Sequence, residues 1–99
     1  MSALRPNVPA DVRTFAALAV KSRHKTSRRG WPLLNVHSGL GRSEIQRRMR
    51  LYWRTDWPIE RLTLVIGFMR DAGAVAASSA GGFVVVEWSR VEALAGRAR

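Results

Sequence analysis

The chain has 99 residues, 46% hydrophobic and 24% charged, which suits one globular domain and leaves little for a second. Its charge is unbalanced, because 17 Lys and Arg face 7 Asp and Glu, giving +10 and a sequence pI near 11.8. Such an excess predicts a polyanionic partner. The absence of cysteine excludes disulfides, a thiol nucleophile and thiolate metal sites.

Several protein classes are not expected from this sequence. No apolar run approaches the roughly 18 residues of a membrane span, and residues 1–9 lack the pattern of a signal peptide. We therefore expect a cytoplasmic protein that does not bind membranes. Neither His24 nor His37 has acids at ligand spacing, so we expect no metal and no cofactor. The scattered acids offer no catalytic arrangement, so we expect no enzyme.

The N-terminal part predicts an extended segment followed by a helix. Pro6 and Pro9 favour an extended conformation for residues 1–10, so the folded domain is expected to comprise residues 11–99. Asp11 is a candidate N-cap for a helix that runs to about Lys21. The residues expected on its inward face are Val12, Phe15, Ala16 and Ala19.

Residues 21–30 form a basic run without apolar periodicity, which predicts a loop or the solvated end of the first helix. Its cations could track phosphates, and the alternative is a connector whose charge has no site. Residues 31–37, WPLLNVH, predict a short strand that joins a C-terminal hairpin, with helical continuation as the alternative.

A second helix is predicted to begin at Ser43, because Ser43 and Gln46 match the S-x-x-Q pattern of a capping box. Ile45 and Met49 share its inward face. The turn that follows, within residues 51–57, is predicted to be longer than the three or four residues usual between two such helices.

A third helix is predicted over residues 58–72, with Pro58 at its first position and Gly73 ending it in the left-handed conformation. Its inward residues recur at steps of three or four and are Ile59, Leu62, Ile66 and Met69. Gly67 weakens the helix interior by about 1 kcal/mol relative to alanine, which predicts a close approach by another group at this position.

The C-terminal part predicts a hairpin and a last helix. Residues 75–79 and 83–88 form two short runs around Gly81 and Gly82, and Trp88 is expected in the core. Ser89 and Glu92 form a second capping box that opens the last helix. A helix this short needs a partner, which is either the first helix of its own chain or the same helix of a second copy.

This order of helix, turn, longer helix and Gly-tipped hairpin over residues 43–88 resembles a winged helix-turn-helix DNA-binding domain, without indicating a specific family. The resemblance covers roughly the last 60 residues. It implies an α+β fold, with a three-helix core, a C-terminal β-hairpin wing and a short terminal helix. It also implies that the third helix enters the major groove while the second crosses the backbone.

The resulting expectation is a duplex DNA-binding transcriptional regulator or an accessory factor of a mobile element or phage, with terminal helices available for homodimer formation. The phosphate-binding candidates are Lys21, Arg23, Lys25, Arg28, Arg29, Arg42, Arg47, Arg48, Arg50 and Arg54. The base-reading candidates are Arg61, Thr63, Leu64 and Arg70. The wing tip, residues 78–82, has no basic residue, so a phosphate contact there would use backbone N–H groups and serine hydroxyls.

Two alternatives remain open at this point. Aromatic residues interleaved with arginine suit RNA or single-stranded nucleic acid, and those concerned are Trp31, Tyr52, Trp53 and Trp57, for which core packing is the more common role. The other alternative is a protein-interaction module on a winged-helix scaffold, which would dock an acidic partner or a nucleoprotein complex.

Overall fold

A computed structural model of the chain describes residues 7–24 and 31–96, and these residues form an α+β arrangement, as predicted. In chain order the elements are α1 (Ala10–Arg23), α2 (Arg42–Tyr52), α3 (Ile59–Asp71), β1 (Val75–Ala77), β2 (Phe83–Val85) and α4 (Trp88–Leu94). The third helix contacts the first two and leads directly into the hairpin. Residues 53–58 separate α2 from α3, which confirms the long turn.

The apolar periodicity of the helices correctly predicts their buried faces. In α3 the buried residues are Leu62, Val65, Ile66 and Met69. They pack in one core with buried residues of the other two helices, including Val12, Phe15, Ala16 and Ala19 of α1 and Ile45 and Met49 of α2. Burial of side chains of this size contributes roughly 1.5–3 kcal/mol each, so this common core holds the three helices together.

The predicted start of the first two helices is wrong in detail. The first helix begins at Ala10 with Pro9 as N-cap, so Asp11 lies in the first turn and caps nothing. The second begins at Arg42 after Gly41, and the predicted box between Ser43 and Gln46 does not form. Instead the Gln46 amide donates a hydrogen bond of 2.8 Å to the Trp57 carbonyl. Tertiary contacts therefore recruit a polar group that the local pattern assigned to capping.

The third and fourth helices also begin differently from the prediction. Pro58 is the N-cap of α3, in an extended conformation, and not its first helical residue. The fourth helix begins at Trp88 after Glu87, without a side-chain cap, so the predicted box between Ser89 and Glu92 is wrong. These helix ends are set by where the chain leaves the core, because an exposed hydroxyl can bind water instead of a backbone N–H.

Two glycines of the α3 region behave differently from each other. Gly73 has φ +77, and the Ala74 N–H beyond it donates to the Met69 carbonyl at 2.9 Å, which confirms the predicted helix stop. The close approach predicted at Gly67 is wrong, because a Cβ built there would meet no atom within 4 Å. Gly67 faces open space on the outer side of α3.

The predicted hairpin is confirmed, with shorter strands. β1 and β2 are antiparallel and pair Val75 with Val85 and Ala77 with Phe83. Residues 31–37 form neither the predicted third strand nor a helix. Leu33 and Leu34 are both buried there, whereas consecutive residues of a half-buried strand alternate between core and solvent.

The chain after residue 34 nevertheless contacts the hairpin edge. The Val85 N–H donates to the Asn35 carbonyl at 2.8 Å, and Leu40 forms an isolated bridge with Phe83. A Cβ at Gly39 would overlap the Gly81 carbonyl oxygen, so the linker can cross the hairpin tip only with glycine at this position. The hairpin tip is therefore packed against the linker.

The last helix finds its partner in its own chain. α4 packs against α1, with Val91 fully buried and Trp88 half-buried at the edge of the core. Arg23 of α1 lies 3.6 Å from the Glu92 carboxylate and stacks over the Trp88 ring at 4.9 Å. The first helix of the same chain is thus a partner of α4, as one of the two alternatives predicts. None of the helices within residues 7–24 and 31–96 has the length and apolar character needed to cross a membrane.

Candidate nucleic-acid interface

The outer side of α2 is the most basic helical surface of the described chain. At 100° per residue, Arg47 and Arg50 fall on the half of the helix opposite the buried Ile45 and Met49. Both are exposed, as predicted. The only acid of this helix is Glu44, so its outer side carries a net positive charge.

Glu44 binds two arginines of α2, Arg47 and Arg48, at the same time. Arg47 donates to both of its carboxylate oxygens, at 3.0 and 2.8 Å, and the Arg48 Nε donates to Oε2 at 2.7 Å. These hydrogen bonds, that from Arg47 first, lower the pKa of Glu44 from 4.5 to about 2. One carboxylate thus partly neutralises two guanidinium groups and fixes their directions.

Arg48 is not free to face outward as the sequence predicts. Its Nη1 donates to the Pro32 carbonyl at 2.8 Å, and its side chain is only 18% exposed. It therefore joins α2 to the 31–34 segment, and its guanidinium is less available to a ligand than that of the exposed Arg50. The carbonyl that binds Arg48 belongs to a residue sixteen positions earlier in the sequence, so the helical pattern of α2 could not predict this contact.

Arg50 and Arg54 are the least constrained cations on this side. Within the described residues, neither side chain makes a hydrogen bond or an ion pair, and both are exposed. Arg54 has φ +51, a conformation that favours glycine and costs another residue about 1 kcal/mol. The conformation lets the Thr55 N–H donate to the Met49 carbonyl at 3.0 Å and so ends α2.

Arg42 begins α2 and reaches α3. Its Nη1 donates to the Thr63 hydroxyl at 3.1 Å, and Thr63 in turn donates to the Ile59 carbonyl at 2.8 Å. Arg70 follows Thr63 by two helical turns and lies, exposed, on the same flank of α3. We define the arginine surface as Arg47, Arg50 and Arg54, with Arg42 on the side of the same helix that faces α3.

Arg61 is engaged elsewhere. Its Nε and Nη2 donate to the Asp11 carboxylate at 2.8 and 2.7 Å, and its guanidinium lies 4.4 Å above the centre of the Trp57 ring. These bonds lower the pKa of Asp11. Base reading by Arg61 would require breaking this ion pair and the stacking contact. The hydroxyl of Thr63, a second base-reading candidate, is likewise already used.

The outward line of α3 has a different character from that of α2. The residues opposite its buried face are Glu60, Leu64, Gly67 and Asp71. Leu64, the third base-reading candidate, is 76% exposed. Two acids, a leucine and a glycine do not form a surface that attracts a polyanion, so the positive charge of the described helices is concentrated on α2.

Of the remaining phosphate-binding candidates, the two described ones, Lys21 and Arg23, lie away from this surface. Lys21 lines a groove between α1 and Ala95, at the end of α4, and Arg23 is paired with Glu92 of α4. Lys25, Arg28 and Arg29 lie outside the described residues. The first helix therefore presents its last-turn cations to α4 and not to α2.

The aromatic residues contact each other. Trp57 is 5% exposed and its ring centre lies 6.4 Å from that of Phe15, in the core. Trp31 stacks on Tyr52 at 5.8 Å and contacts Trp53 edge-on at 5.7 Å, and the Trp53 Nε1 donates to the Trp31 carbonyl. The rings that could stack on bases are thus packed against protein rings.

The hairpin tip offers few free donors. The N–H groups of Ser78, Ala80 and Gly81 donate, respectively, to the Gly82 carbonyl, the Ser78 hydroxyl and the Ser78 carbonyl. A phosphate contact through these three N–H groups would have to displace these bonds, whereas the serine hydroxyls remain able to donate. The part of the chain that the structure describes also has no group of three or more acidic or histidine side chains placed to hold a metal ion.

Sequence reasoning overlooked Leu51. It is 53% exposed and lies on the outer half of α2, between the arginines. The available signal was its position, because a residue six places after Ile45 falls far from the inward face of a helix.

Comparison of the chain with protein-family models, with curated proteins and with solved structures gives no match.

Proposed function

We propose that this domain is a winged helix that binds duplex DNA, and that the arginine surface makes its phosphate contacts. The observation that carries the proposal is the charge of residues 42–54, which comprise α2 and the two residues that follow it. Residues 42–54 contain five arginines and one glutamate, a net charge of +4 over thirteen residues. Such a density attracts a polyphosphate and releases its condensed counterions.

The element order and the strand pairing support the winged-helix assignment. Three helices precede the hairpin. Along the edge that does not pair with β1, β2 forms backbone hydrogen bonds with Asn35 and Leu40. A winged helix has the same arrangement, in which the segment before the second helix adds to the second wing strand. The two-stranded sheet and four helices are compatible with that fold.

Support for base-specific recognition is weaker than support for phosphate binding. Among the base-reading candidates, Arg70 is the exposed cation that has no ion pair within residues 7–24 and 31–96. We therefore propose that affinity comes mainly from α2 and that sequence preference is modest. The single-strand alternative is less favoured, because Trp57 is buried and Trp31, Tyr52 and Trp53 pack on each other.

A salt titration of duplex binding tests the proposal. For B-DNA, log K falls with log salt at a slope of about −0.9 per neutralised phosphate. We expect the double variant Arg50→Ala/Arg54→Ala to bind duplex DNA more weakly at every salt concentration and to have a slope shallower by about two units. Competition with single-stranded DNA and RNA of the same sequence should favour the duplex.

The matched control is Arg13→Ala, which removes an exposed cation on α1, beside the groove that Lys21 lines. This variant should keep the wild-type slope. If Arg50→Ala/Arg54→Ala folds normally by circular dichroism and keeps both wild-type affinity and slope, the arginine surface is not the binding site. Equal loss in Arg13→Ala would mean that net charge alone governs binding.

A further inference from the structure

Two exposed leucines lie in oppositely charged surroundings. Within the described chain, Leu64 of α3 and Leu51 of α2 are the most exposed large hydrophobic residues, at 76% and 53%. The first lies between two acids and the second among arginines. Exposed apolar side chains of this kind often mark interaction sites when they belong to a larger patch with polar surroundings.

The α3 patch consists of Glu60, Leu64, Gly67 and Asp71. Neither acid has an ion pair within the residues that the structure describes. Gly67 leaves open space beside Leu64. Next to the patch, a groove of about 240 Å³ between α1 and α3 is lined by Leu64, Val65 and Phe68, among others. The patch therefore has an exposed leucine beside a groove, with one carboxylate toward each end of the helix.

The α2 patch consists of Arg47, Arg50, Leu51 and Arg54. Its arginines surround one apolar side chain on the half of the helix opposite the core. Leu51 thus projects between cations, as Leu64 lies between acids. The two patches match in both respects that an interface needs, because each has an apolar centre and their charges are opposite.

We propose that a second copy of this chain docks its α2 patch on the α3 patch, with Leu51 against Leu64 and Phe68, and with arginines facing Glu60 and Asp71. The dimensions agree. Glu60 and Asp71 are eleven residues apart, about 16 Å along the helix, and the arginines of the α2 patch run from Arg47 past the helix end to Arg54, with long side chains that extend their reach. Gly67 provides room for the incoming leucine.

The charges exclude symmetric pairing of either patch with itself. Two α3 patches would place carboxylates opposite carboxylates, and two α2 patches would place guanidinium groups together. The contact therefore joins unlike patches, either head to tail, which leaves one free patch at each end of a pair, or reciprocally in a two-fold dimer. The head-to-tail form makes open chains of copies unless the rotation between them closes a ring, and the reciprocal form stops at the dimer.

The contact should be weak for the isolated protein. Each copy has a net charge of +10, which opposes association at low salt. At about 0.15 M salt the Debye length is about 8 Å, so the local ion pairs outweigh the more distant repulsion. The same arginines belong to the proposed DNA interface, so, if that function is correct, a duplex and a second copy compete for α2.

Sedimentation velocity of the full chain, at concentrations from about 10 μM to about 1 mM and near-physiological salt, tests the contact without nucleic acid. The wild type should show a weight-average mass that rises with concentration above that of a monomer. Leu51→Glu and Leu64→Arg each destroy one patch and leave the other intact. Each variant alone should remain monomeric, and an equimolar mixture should form a dimer and stop there.

The control is Val86→Glu, which changes a residue that is 50% exposed and belongs to neither patch, and it should associate like the wild type. The proposal is overturned if the wild type stays monomeric at the highest concentration, or if the mixture of the two variants remains monomeric. None of these outcomes depends on nucleic acid. If the wild type associates but binds no duplex, only the proposed function fails.

Discussion

The guanidinium of Arg61 and the carboxylate of Asp11 form a two-bond ion pair, at 2.8 and 2.7 Å, that joins the first turns of α3 and α1. Fifty residues separate the two partners in sequence. The guanidinium also stacks over the ring of the buried Trp57. A residue that the sequence suggests for DNA reading thus helps to hold two helices together.

The first prediction concerns this pair. Replacement of Arg61 by glutamine should lower the free energy of unfolding slightly, because both side chains are 40% or more exposed, and should leave duplex DNA affinity and sequence preference unchanged. Denaturant unfolding and a binding titration measure the two effects. A loss of preference at one base position, with unchanged stability, would instead assign Arg61 to base reading.

The pH dependence of the pair has a definite sign. The Arg61 hydrogen bonds hold the pKa of Asp11 below its ordinary value of 3.8. The pair therefore contributes fully above pH 4 to 5, and its contribution is lost as the pH falls through the lowered pKa. The stability difference between the wild type and Asp11→Asn should be constant at neutral pH and shrink only in strong acid.

The second prediction concerns Glu44, whose removal should strengthen DNA binding. Glu44→Gln frees Arg47 and Arg48 from their carboxylate and raises the net charge of the surface by one. We expect tighter binding and a salt slope that is steeper by up to about one unit. Unchanged binding would mean that neither arginine contacts phosphate.

The Glu44 side chain should also stay ionised at a lower pH than that of an unperturbed glutamate. Its pKa is about 2, compared with 4.5 for an unperturbed glutamate. Its stabilising contribution is thus complete above about pH 5 and is lost as the pH falls from 4.5 through 2. The stability difference between the wild type and Glu44→Gln, measured by urea unfolding over this range, should fall in the same interval.

The third prediction concerns Gly67. Because a Cβ would meet nothing within 4 Å, Gly67→Ala should stabilise the protein by about 0.4–1 kcal/mol. Gly39→Ala is the control and should be destabilising, since its Cβ would overlap the Gly81 carbonyl oxygen. Thermal unfolding at low protein concentration measures both. Destabilisation by Gly67→Ala would show that another group does approach this position.

The fourth prediction concerns Ser22, the fully buried serine of α1. Its hydroxyl donates to the Ala19 carbonyl at 2.8 Å and accepts from the Leu33 N–H at 3.0 Å. Ser22→Ala leaves that buried N–H without its partner, which should cost about 1–3 kcal/mol. Ser43→Ala, at the exposed position wrongly predicted to cap α2, should change stability by less than about 0.5 kcal/mol. Equal effects in the two variants would contradict this account.

Much of the fold could be predicted because its signals are local. The inward faces of α1, α2 and α3 follow from apolar residues at helical spacing, and Gly73 marks a helix end because it tolerates a positive φ. The capping boxes failed because Ser, Gln and Glu have several partners in a folded chain. Gln46 binds the Trp57 carbonyl instead of its own helix end.

The candidate site divides differently between sequence and structure. The sequence by itself determined the excess of positive charge and its concentration around α2, because every arginine is charged wherever it lies. Only the tertiary structure decided which guanidinium groups remain available, since Asp11, Glu44 and the Pro32 carbonyl engage three of them through folded contacts. Charge is a property of the residue, whereas its availability depends on the groups that folding places within hydrogen-bond distance.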